Sequence, residues 1–268
     1  MKLFFILGED AFFKPRFIES TIKKRKRDIA GIAVVSAKFP KSSLIKYLKK
    51  QLLFFGYLDF FILSALTIIY LTLDKLHNFL PLKRFYSVKS VAREYNIPLY
   101  LPKNVNDAEF IKKLKKSKPD IIVSSCPQIF KKELLNVPRI ACINRHSSLL
   151  PQYGGLMPVF WAMLNDEKEV GVSIHKMVEH IDEGEVITQD RIKISDKDSL
   201  YDIYKKCFEI SSGLVLEAID ILEQNKKHKI INKSRKKTYF SFPKREDIRL
   251  FRNKGKKFLT YKNLLDDF

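Results

Sequence analysis

The sequence has few cysteines, and their spacing builds neither a disulfide framework nor a zinc site. Only Cys126, Cys142 and Cys207 occur in 268 residues, and none is part of a Cys-x-x-Cys pair. An odd, scattered set is typical of buried thiols in a reducing compartment. There is also no internal repeat and no low-complexity linker. We therefore expect a cytoplasmic globular protein without a bound metal.

Acidic residues are in the minority. The chain has 50 Lys and Arg against 30 Asp and Glu, which gives a formal net charge of +20. Such an excess favours polyanionic partners: nucleic acid, a nucleotide, a phosphorylated substrate or an anionic membrane surface. A lysine-rich solvated surface with no such partner is the alternative. Net charge does not decide between them, because it concerns solubility and steering rather than fold.

A secretory signal is not predicted, because the opening MKLFFILGED is too short and becomes acidic too soon. It indicates a first buried strand instead. A later stretch, Phe54–Leu73, carries one charge, Asp59, and approaches the roughly 20 apolar residues that span a bilayer. Lys46, Lys49 and Lys50 precede it. We favour a long helix packed on a sheet, and a membrane-spanning or membrane-surface helix stays open.

Apolar runs alternate with segments of helical spacing along most of the chain, which predicts an α/β fold with a doubly wound, mostly parallel sheet. The predicted strands are Lys2–Leu7, Ile32–Val35, Leu99–Leu101, Ile121–Ser124, Val137–Ile143, Val172–Met177 and Val186–Ile194. The predicted helices are Phe12–Lys26, an apolar helical region contained in Ser42–Leu80, Ser87–Tyr95, Asp107–Lys116, Val159–Leu164 and Tyr201–Glu223. Residues 1–223 are expected to form a catalytic domain, and residues 224–268 a short, basic, aromatic C-terminal extension.

Three polar side chains stand where such a sheet places its ligands, beyond the carboxyl ends of the strands. Asn144 and His146 follow a predicted buried strand, and Asp182 lies in a later loop that returns to the same edge. An imidazole can shuttle a proton, a nearby carboxylate raises its pKa, and an amide can donate to a developing oxyanion. Together they predict an acyl-transfer site. A turn Asn, a satisfied His and a turn Asp are the alternative.

The segments around these residues resemble a known family. INRHSSLLPQYGG is similar to the Asn-x-His-x-Ser-Leu-Leu-Pro signature of 10-formyltetrahydrofolate-dependent formyltransferases, which have a Rossmann-like fold. VGVSIHKMVEHIDEGEVITQ resembles their Thr-Gly-Val-Thr segment, which ends in Asp-x-Gly. PDIIVSSCPQIFKKELLNVPRIACIN resembles the strand, folate-binding loop and strand before the signature. The resemblance covers Ser87–Leu222 well and the N-terminal strand loosely.

This resemblance implies formyl transfer from 10-formyltetrahydrofolate to an amine. Asn144 and protonated His146 would stabilise the oxyanion, His146 would manage the proton, and Asp182 would tune and orient both. Backbone groups of two loops would grip the pterin. The matching positions are Gln128, Ile129, Phe130, Met177, Val178 and Glu179. For Ile129, Phe130 and Met177, core packing is the alternative.

The sequence departs from the family pattern in three places, which leaves the acceptor and the folate affinity open. Ser147 replaces the Pro that follows the catalytic His. Tyr153-Gly154-Gly155 lacks an Arg, and the folate loop reads Ser125-Cys126-Pro127. Two further side chains have alternative interpretations. His175 either lines the acceptor site or is a satisfied structural residue, and Trp161 is expected in the core beneath the catalytic loop.

The acceptor is expected to be an amino sugar linked to a nucleotide, with methionyl-tRNA as the alternative. The 45 residues after position 223 are too few for the β-barrel of methionyl-tRNA formyltransferases. The loop Gly8-Glu9-Asp10 is acidic, unlike the phosphate loop of glycinamide ribonucleotide formyltransferases. SRKKTYFSFPKREDIRLFR resembles the tail of sugar-amine formyltransferases. Its aromatic and basic residues would stack on a nucleotide or pack over the sheet; they are Tyr239, Phe240, Phe242, Lys237, Lys244 and Arg245. A homodimer and a non-catalytic or membrane-associated relative stay open.

Overall fold

The computed structural model describes residues 1–36, 43–77, 84–225, 236–260 and 263. The strands are β1 (Leu3–Gly8), β2 (Ile29–Val35), β3 (Leu99–Tyr100), β4 (Ile121–Ser125), β5 (Ala141–His146), β6 (Gly154–Gly155), β7 (Glu169–Lys176), β8 (Val186–Lys193) and β9 (Tyr239–Phe240). The helices are α1 (Lys14–Arg25), α2 (Leu44–Leu76), α3 (Val88–Glu94), α4 (Ala108–Ser117), α5 (Lys132–Leu135), α6 (Pro158–Leu164), α7 (Leu200–Glu223) and α8 (Arg245–Asn253). A 3₁₀ turn, Lys26–Asp28, follows α1.

Seven strands form one sheet in the order β3-β2-β1-β4-β5-β7-β8. The pairs from β3 to β5 are parallel, whereas β7 is antiparallel to both β5 and β8. The chain winds outward from β1 in one direction and then from β4 in the other. This confirms the predicted doubly wound, mostly parallel sheet. A separate two-stranded pair joins β6 to β9.

The sheet is buried on both faces, as its apolar strands require. Successive side chains of β1 point to opposite faces, so that Leu3 and Phe5 join one hydrophobic cluster and Phe4 and Ile6 join the other. The first cluster is covered by α1, α3, α6, α7 and α8, and the second by α4 and α5. The helices on both faces therefore hold the strands in place, and with them the strand ends at which the polar loops begin.

The fifth strand differs from its prediction at both ends. It begins at Ala141 rather than Val137, and it runs on through Asn144 to His146. The reason is a ladder that the sequence does not reveal: β5 pairs antiparallel with β7 and brings Asn144 opposite His175. Asn144 and His146 are thus held in the strand and do not follow it. The short helix α5 was not predicted.

The C-terminal extension joins the main hydrophobic cluster. Ile248 and Phe251 of α8 are buried in the same cluster as the sheet, and Phe258 packs beside them. Its strand β9 pairs with β6, which begins eight residues after His146. The boundary at residue 223 stays a prediction. The part of the extension from 236 to 260 is nevertheless fastened to the residues around the site.

Helix α2 lies largely on the surface, unlike the packed helix that we favoured. Of its 33 residues, Phe54, Leu66 and Tyr70 are buried. It kinks at Gly56, where φ is 76° and the backbone leaves helical geometry. It is also the one helix among the described residues that is long and apolar enough to cross a membrane. The sheet therefore does not account for its apolar composition.

Candidate active site

Two neighbouring strands bring three polar side chains to one face of the sheet. Asn144 and His146 are two residues apart on β5, so their side chains point the same way. His175 lies opposite Asn144 on β7, and its Nε2 is 3.3 Å from Asn144 Nδ2. The rings of His146 and His175 have centroids 6.4 Å apart and are nearly perpendicular. The imidazoles thus flank a narrow space beside the amide.

Asp182 enters this space from the loop after β7. Its Oδ2 is 3.7 Å from His146 Nδ1, and its Oδ1 is 3.5 Å from His175 Nε2. The side chains of His146, His175 and Asp182 are 9%, 2% and 8% exposed. Each carboxylate oxygen therefore faces one imidazole in a largely buried setting, where electrostatic interactions are strong.

The backbone holds Asp182 in an unusual conformation. Its φ is 56°, in the left-handed region that Asp tolerates better than most side chains. The N–H of Gly155 donates to Asp182 Oδ2 at 2.8 Å. Gly155 has a φ of 91°, and a Cβ there would lie 2.1 Å from the Phe240 carbonyl oxygen. The extension, the glycine pair and the carboxylate consequently form one connected arrangement.

Asp182 is held in its charged form. Burial alone would raise its pKa, but the contacts with His175 and His146 and the Gly155 N–H outweigh burial and lower the pKa to about 2. A carboxylate that accepts such bonds is ionised at neutral pH. Asp182 can therefore orient its neighbours and stabilise positive charge on them.

The ionisation of His146 differs from our prediction. Burial dominates and lowers its pKa below the ordinary 6.5, although Asp182 and the bond to Tyr153 act to raise it. The ring Nε2–H donates to the Tyr153 carbonyl oxygen at 2.9 Å, because a carbonyl can only accept. In the neutral form, Nδ1 is then the acceptor and faces Asp182. At neutral pH His146 is accordingly suited to accept a proton.

His175 is more closely tied to this group than the sequence indicates. Its Nδ1–H donates to the Lys176 carbonyl oxygen at 2.9 Å, and its Nε2 lies 3.3 Å from the Asn144 amide nitrogen and 3.5 Å from Asp182 Oδ1. This contact orients Asn144 and leaves its second amide hydrogen available for other acceptors. Strand alternation marks His175 as inward-facing, but only the β5–β7 register brings it to Asn144.

Arg145 points to the opposite face of β5 and was not predicted to matter. Its Nε donates to Ser211 Oγ at 2.8 Å, and its Nη1 donates to Ser147 Oγ at 2.7 Å. The guanidinium also lies 3.8 Å from the centre of the Phe208 ring. These contacts fasten the end of β5 to α7. A charged residue just after a predicted buried strand was the available signal.

The six predicted folate-binding positions lie in two loops next to this group. Gln128 is buried, and its side chain bonds to the backbone of Val105 and Lys103. Phe130 and Met177 pack in or against the second hydrophobic cluster. Apolar side chains at the other positions are exposed: Ile129 by 59% and Val178 by 46%. Glu179 lies 3.9 Å from Lys132, across the gap between the loops. Their role in binding stays a prediction.

The aromatic residues of the extension divide into two groups. Phe240 is stacked between Tyr153 and Trp161, with centroids 5.5 and 4.7 Å away, and Phe242 contacts Phe54. These rings are used in packing, so stacking of a nucleotide on them is not supported. Tyr239 is 54% exposed and covers the Gly154-Gly155 backbone. Unlike Phe240 and Phe242, Tyr239 therefore leaves an aromatic ring exposed near Asp182.

Trp161 is half-buried and docks the extension, whereas we expected it in the core beneath the catalytic loop. Its ring stacks on Phe240, and its Nε1–H donates to the Ser241 carbonyl oxygen at 3.0 Å. The buried ring in this helix is instead Phe160, which stacks on Phe251 of α8. Trp161 therefore contacts the extension directly, and its surroundings depend on how the extension packs.

Solved structures share this architecture. A sugar N-formyltransferase from Shewanella matches 94% of this chain and 87% of its own, with a TM-score of 0.56 and 19% identity. Glycinamide ribonucleotide transformylase 1 from Symbiobacterium toebii matches 84% of this chain and 89% of its own, with a TM-score of 0.57 and 14% identity. At these identities the likeness concerns the fold alone.

Sequence relatives are closer over a shorter region. A methionyl-tRNA formyltransferase from Kosmotoga olearia is 41% identical over 131 residues, which cover 48% of this chain and 42% of the relative. The bifunctional polymyxin resistance protein ArnA from Wigglesworthia glossinidia brevipalpis is 37% identical over 147 residues, or 54% of this chain and 22% of the relative. The chain thus spans less than half the length of these relatives.

A family model described as formyl transferase matches residues 67–219, which is 153 of 268 residues and includes Asn144, His146, His175 and Asp182. The match confirms the resemblance inferred from the Asn-x-His and Asp-x-Gly segments. The chain belongs to the formyl transferase family.

Proposed function

We propose that this protein transfers a formyl group from 10-formyltetrahydrofolate to a primary amine, with Asn144, His146 and Asp182 as its catalytic residues. The observation that carries the proposal is the buried group in which Asp182 lies between two imidazoles, next to an oriented amide. Family membership supports the reaction class. A cytoplasmic location is part of this proposal, and the free thiols of Cys126, Cys142 and Cys207 are in line with it.

In this reaction the amine attacks the formyl carbon and its nitrogen loses a proton. Negative charge builds up on the formyl oxygen, and a preorganised donor stabilises it. Asn144 is suited to donate, because His175 fixes its amide while one hydrogen remains available. Asn144 is therefore our proposed oxyanion donor, and its place on a strand, which is a rigid element, supports this role.

His146 is suited to take the proton from the amine. Burial keeps its imidazole neutral near pH 7, and Nδ1 is the acceptor because Nε2–H is bonded to Tyr153. Once the ring is protonated, the Asp182 carboxylate stabilises the imidazolium across 3.7 Å. The same proton can then pass to the departing folate nitrogen. This replaces the protonated resting His146 that the resemblance implied.

The formyl donor is expected to lie against the loops at 128–130 and 177–179, which follow β4 and β7. Exposed Ile129 and Val178 offer apolar contacts to a pterin ring. Support comes from two related structures, one of which contains folinic acid and the other 5-N-formyl-tetrahydrofolate. Both belong to N-formyltransferases of similar fold.

The acceptor that we favour is an amino sugar linked to a nucleotide. Tyr239 offers an exposed ring beside the Asp182 loop, and Lys237 lies 2.5 Å from Glu183 in that loop. An N-formyltransferase from Helicobacter canadensis is in complex with dTDP-3-aminofucose. The second candidate acceptor is methionyl-tRNA, favoured by the 41% identical relative and the +20 charge.

A direct assay separates the two acceptors. The purified chain would be mixed with 10-formyltetrahydrofolate and either a dTDP-amino sugar or charged methionyl-tRNA, and formylated product would be measured by mass. Tyr239→Ala is expected to raise the KM for the sugar nucleotide and leave kcat nearly unchanged, because stacking on a surface ring stabilises ground and transition states alike. Faster formylation of methionyl-tRNA would reject the sugar assignment.

The ionisation of His146 gives a separate prediction. In an NMR titration of the imidazole protons, the His146 pKa is expected below 6.5, because burial disfavours the cation. In Asp182→Asn it is expected to fall further, because the carboxylate acts to raise it. The signal is assigned by its loss in His146→Gln. A His146 pKa above 6.5 would contradict the role as a neutral base.

A further inference from the structure

Helix α2 presents a continuous apolar stripe to the outside. Between Gly56 and the end of the helix its outward side chains are mostly exposed: Tyr57 75%, Leu58 69%, Phe61 63%, Ile68 65%, Ile69 40% and Leu71 51%. Only 11% of its most apolar 18-residue stretch is buried in the protein. A surface helix of a globular protein normally turns charged residues outward. A contiguous exposed apolar patch indicates an interaction surface.

Both ends of this stripe are fastened to the same folded domain. Near the start, Arg252 Nη2 donates to the Phe55 carbonyl oxygen at 2.7 Å. Near the end, Ser90 Oγ donates to Asp74 at 2.7 Å, and the buried Tyr70 ring lies 5.3 Å from Phe12. The helix therefore lies along the protein surface. A spanning orientation would pull these contacts apart, whereas an orientation in the plane of a membrane keeps them.

Three hydroxyl groups along the stripe are already satisfied within the helix. Ser64, Thr67 and Thr72 donate their hydroxyl groups to carbonyl oxygens four residues earlier, at 2.7, 2.7 and 2.9 Å. No charged side chain occurs from residue 60 to residue 73. An unpaired hydroxyl or charge is costly in an apolar phase. Residues 60–73 can therefore enter such a phase without that penalty.

Charge distinguishes a lipid surface from a second copy of the chain. Lys46, Lys49 and Lys50 precede the stripe, Lys75 lies at its C-terminal end, and all four are exposed. A second copy would place the same four lysines at the same surface, and its own net charge is also +20. Anionic lipid headgroups would instead attract these lysines, each by about 1 kcal/mol near the surface.

We propose that α2 lies in the headgroup region of an anionic membrane and seats the protein there as a peripheral enzyme. The stripe extends roughly 25–30 Å, at about 1.5 Å per residue, and would be immersed on its outer side only. The family match begins at residue 67, so most of α2 lies outside it. The proposed membrane surface involves none of Asn144, His146 and Asp182, and it does not rest on the proposed reaction.

Vesicle flotation tests this proposal with the full chain. The protein would be mixed with vesicles of phosphatidylcholine alone or with added phosphatidylglycerol and then spun through a density gradient. We expect flotation with the anionic vesicles, weaker flotation at high salt, and little with the neutral ones. Phe61→Glu should lower partitioning at least about tenfold, because it removes a ring worth roughly 1.5–3 kcal/mol on burial.

Leu101→Glu is the matched control, because it introduces the same charge at a side chain of similar exposure, 60% against 63%. It should float like the unsubstituted chain. Circular dichroism checks that both variants fold. The proposal is overturned by equal flotation with both vesicle types, by no flotation, or by Phe61→Glu behaving like Leu101→Glu. It is also overturned by a dimer without lipid that Phe61→Glu dissociates.

Discussion

Replacing His146 with alanine is expected to lower kcat for formyl transfer by about 10²- to 10⁴-fold, the usual contribution of a positioned acid or base. The loss follows from the geometry, because His146 Nδ1 is a buried acceptor within reach of Asp182, while Nε2 is engaged by Tyr153. KM for either substrate should change much less. The measurement is steady-state formylation of whichever acceptor, dTDP-amino sugar or methionyl-tRNA, proves to be the better substrate in the direct assay described above.

The control for this loss is His180→Ala. His180 lies in the same loop as Asp182 but is exposed. It should keep kcat within about twofold, since surface substitutions away from such contacts have small effects. A second comparison tests whether His146 and Asp182 act as a unit. The double variant His146→Ala/Asp182→Asn should be little slower than His146→Ala alone, because residues that act together are not additive. Independent, multiplying losses would contradict the arrangement.

Part of the site follows directly from the sequence. Asn144 and His146 are two residues apart in an apolar segment, and strand alternation is enough to put them on one face. The place of Asp182 follows less directly, because it depends on where a loop of nine residues, 177–185, returns. What fixes it is the N–H of Gly155 and the left-handed backbone at Asp182 itself. Neither of these two features can be recognised from the spacing of residues in the sequence.

Other features depend on pairings between distant segments. His175 meets Asn144 only because β7 runs antiparallel to β5 in one register, and a shift by one residue would turn its ring to the opposite face. The pKa of His146 likewise depends on the extent of burial, which outweighs the neighbouring carboxylate. Local sequence identifies the charges but not how much water surrounds them.

Helix α2 illustrates the limit of composition. An apolar run such as Phe54–Leu73 is equally compatible with a core helix and with a helix in lipid. The structure separates these alternatives because Phe54 and Tyr70 face the protein while Leu58, Phe61 and Ile68 face outward. The kink at Gly56 also changes the direction of the outward face. The sequence predicts the helix, and only the packing decides its surroundings.

Gly155→Ala is expected to damage both the fold of the extension and the reaction. A Cβ at this position would lie 2.1 Å from the Phe240 carbonyl oxygen and 3.0 Å from Tyr239, and φ is 91°. The strands β6 and β9 must therefore separate, and the Gly155 N–H moves away from Asp182. Loss of a hydrogen bond to a charged group costs about 1.5–3 kcal/mol. We expect a lower Tm and at least about a tenfold fall in kcat.

Substitutions at two other glycines separate the possible causes of the Gly155→Ala effect, which are backbone strain and the contact with Phe240. Gly255 also has a positive φ, 72°, but a Cβ there meets nothing within 4 Å, so Gly255→Ala measures the backbone strain alone. Gly213 lies on α7 with open space around it, and Gly213→Ala should stabilise the protein by roughly 0.5–1 kcal/mol. If the Phe240 contact matters, Gly155→Ala lowers Tm more than Gly255→Ala and is alone in lowering kcat. Equal effects of the two substitutions would mean that the extension does not hold Asp182 in place.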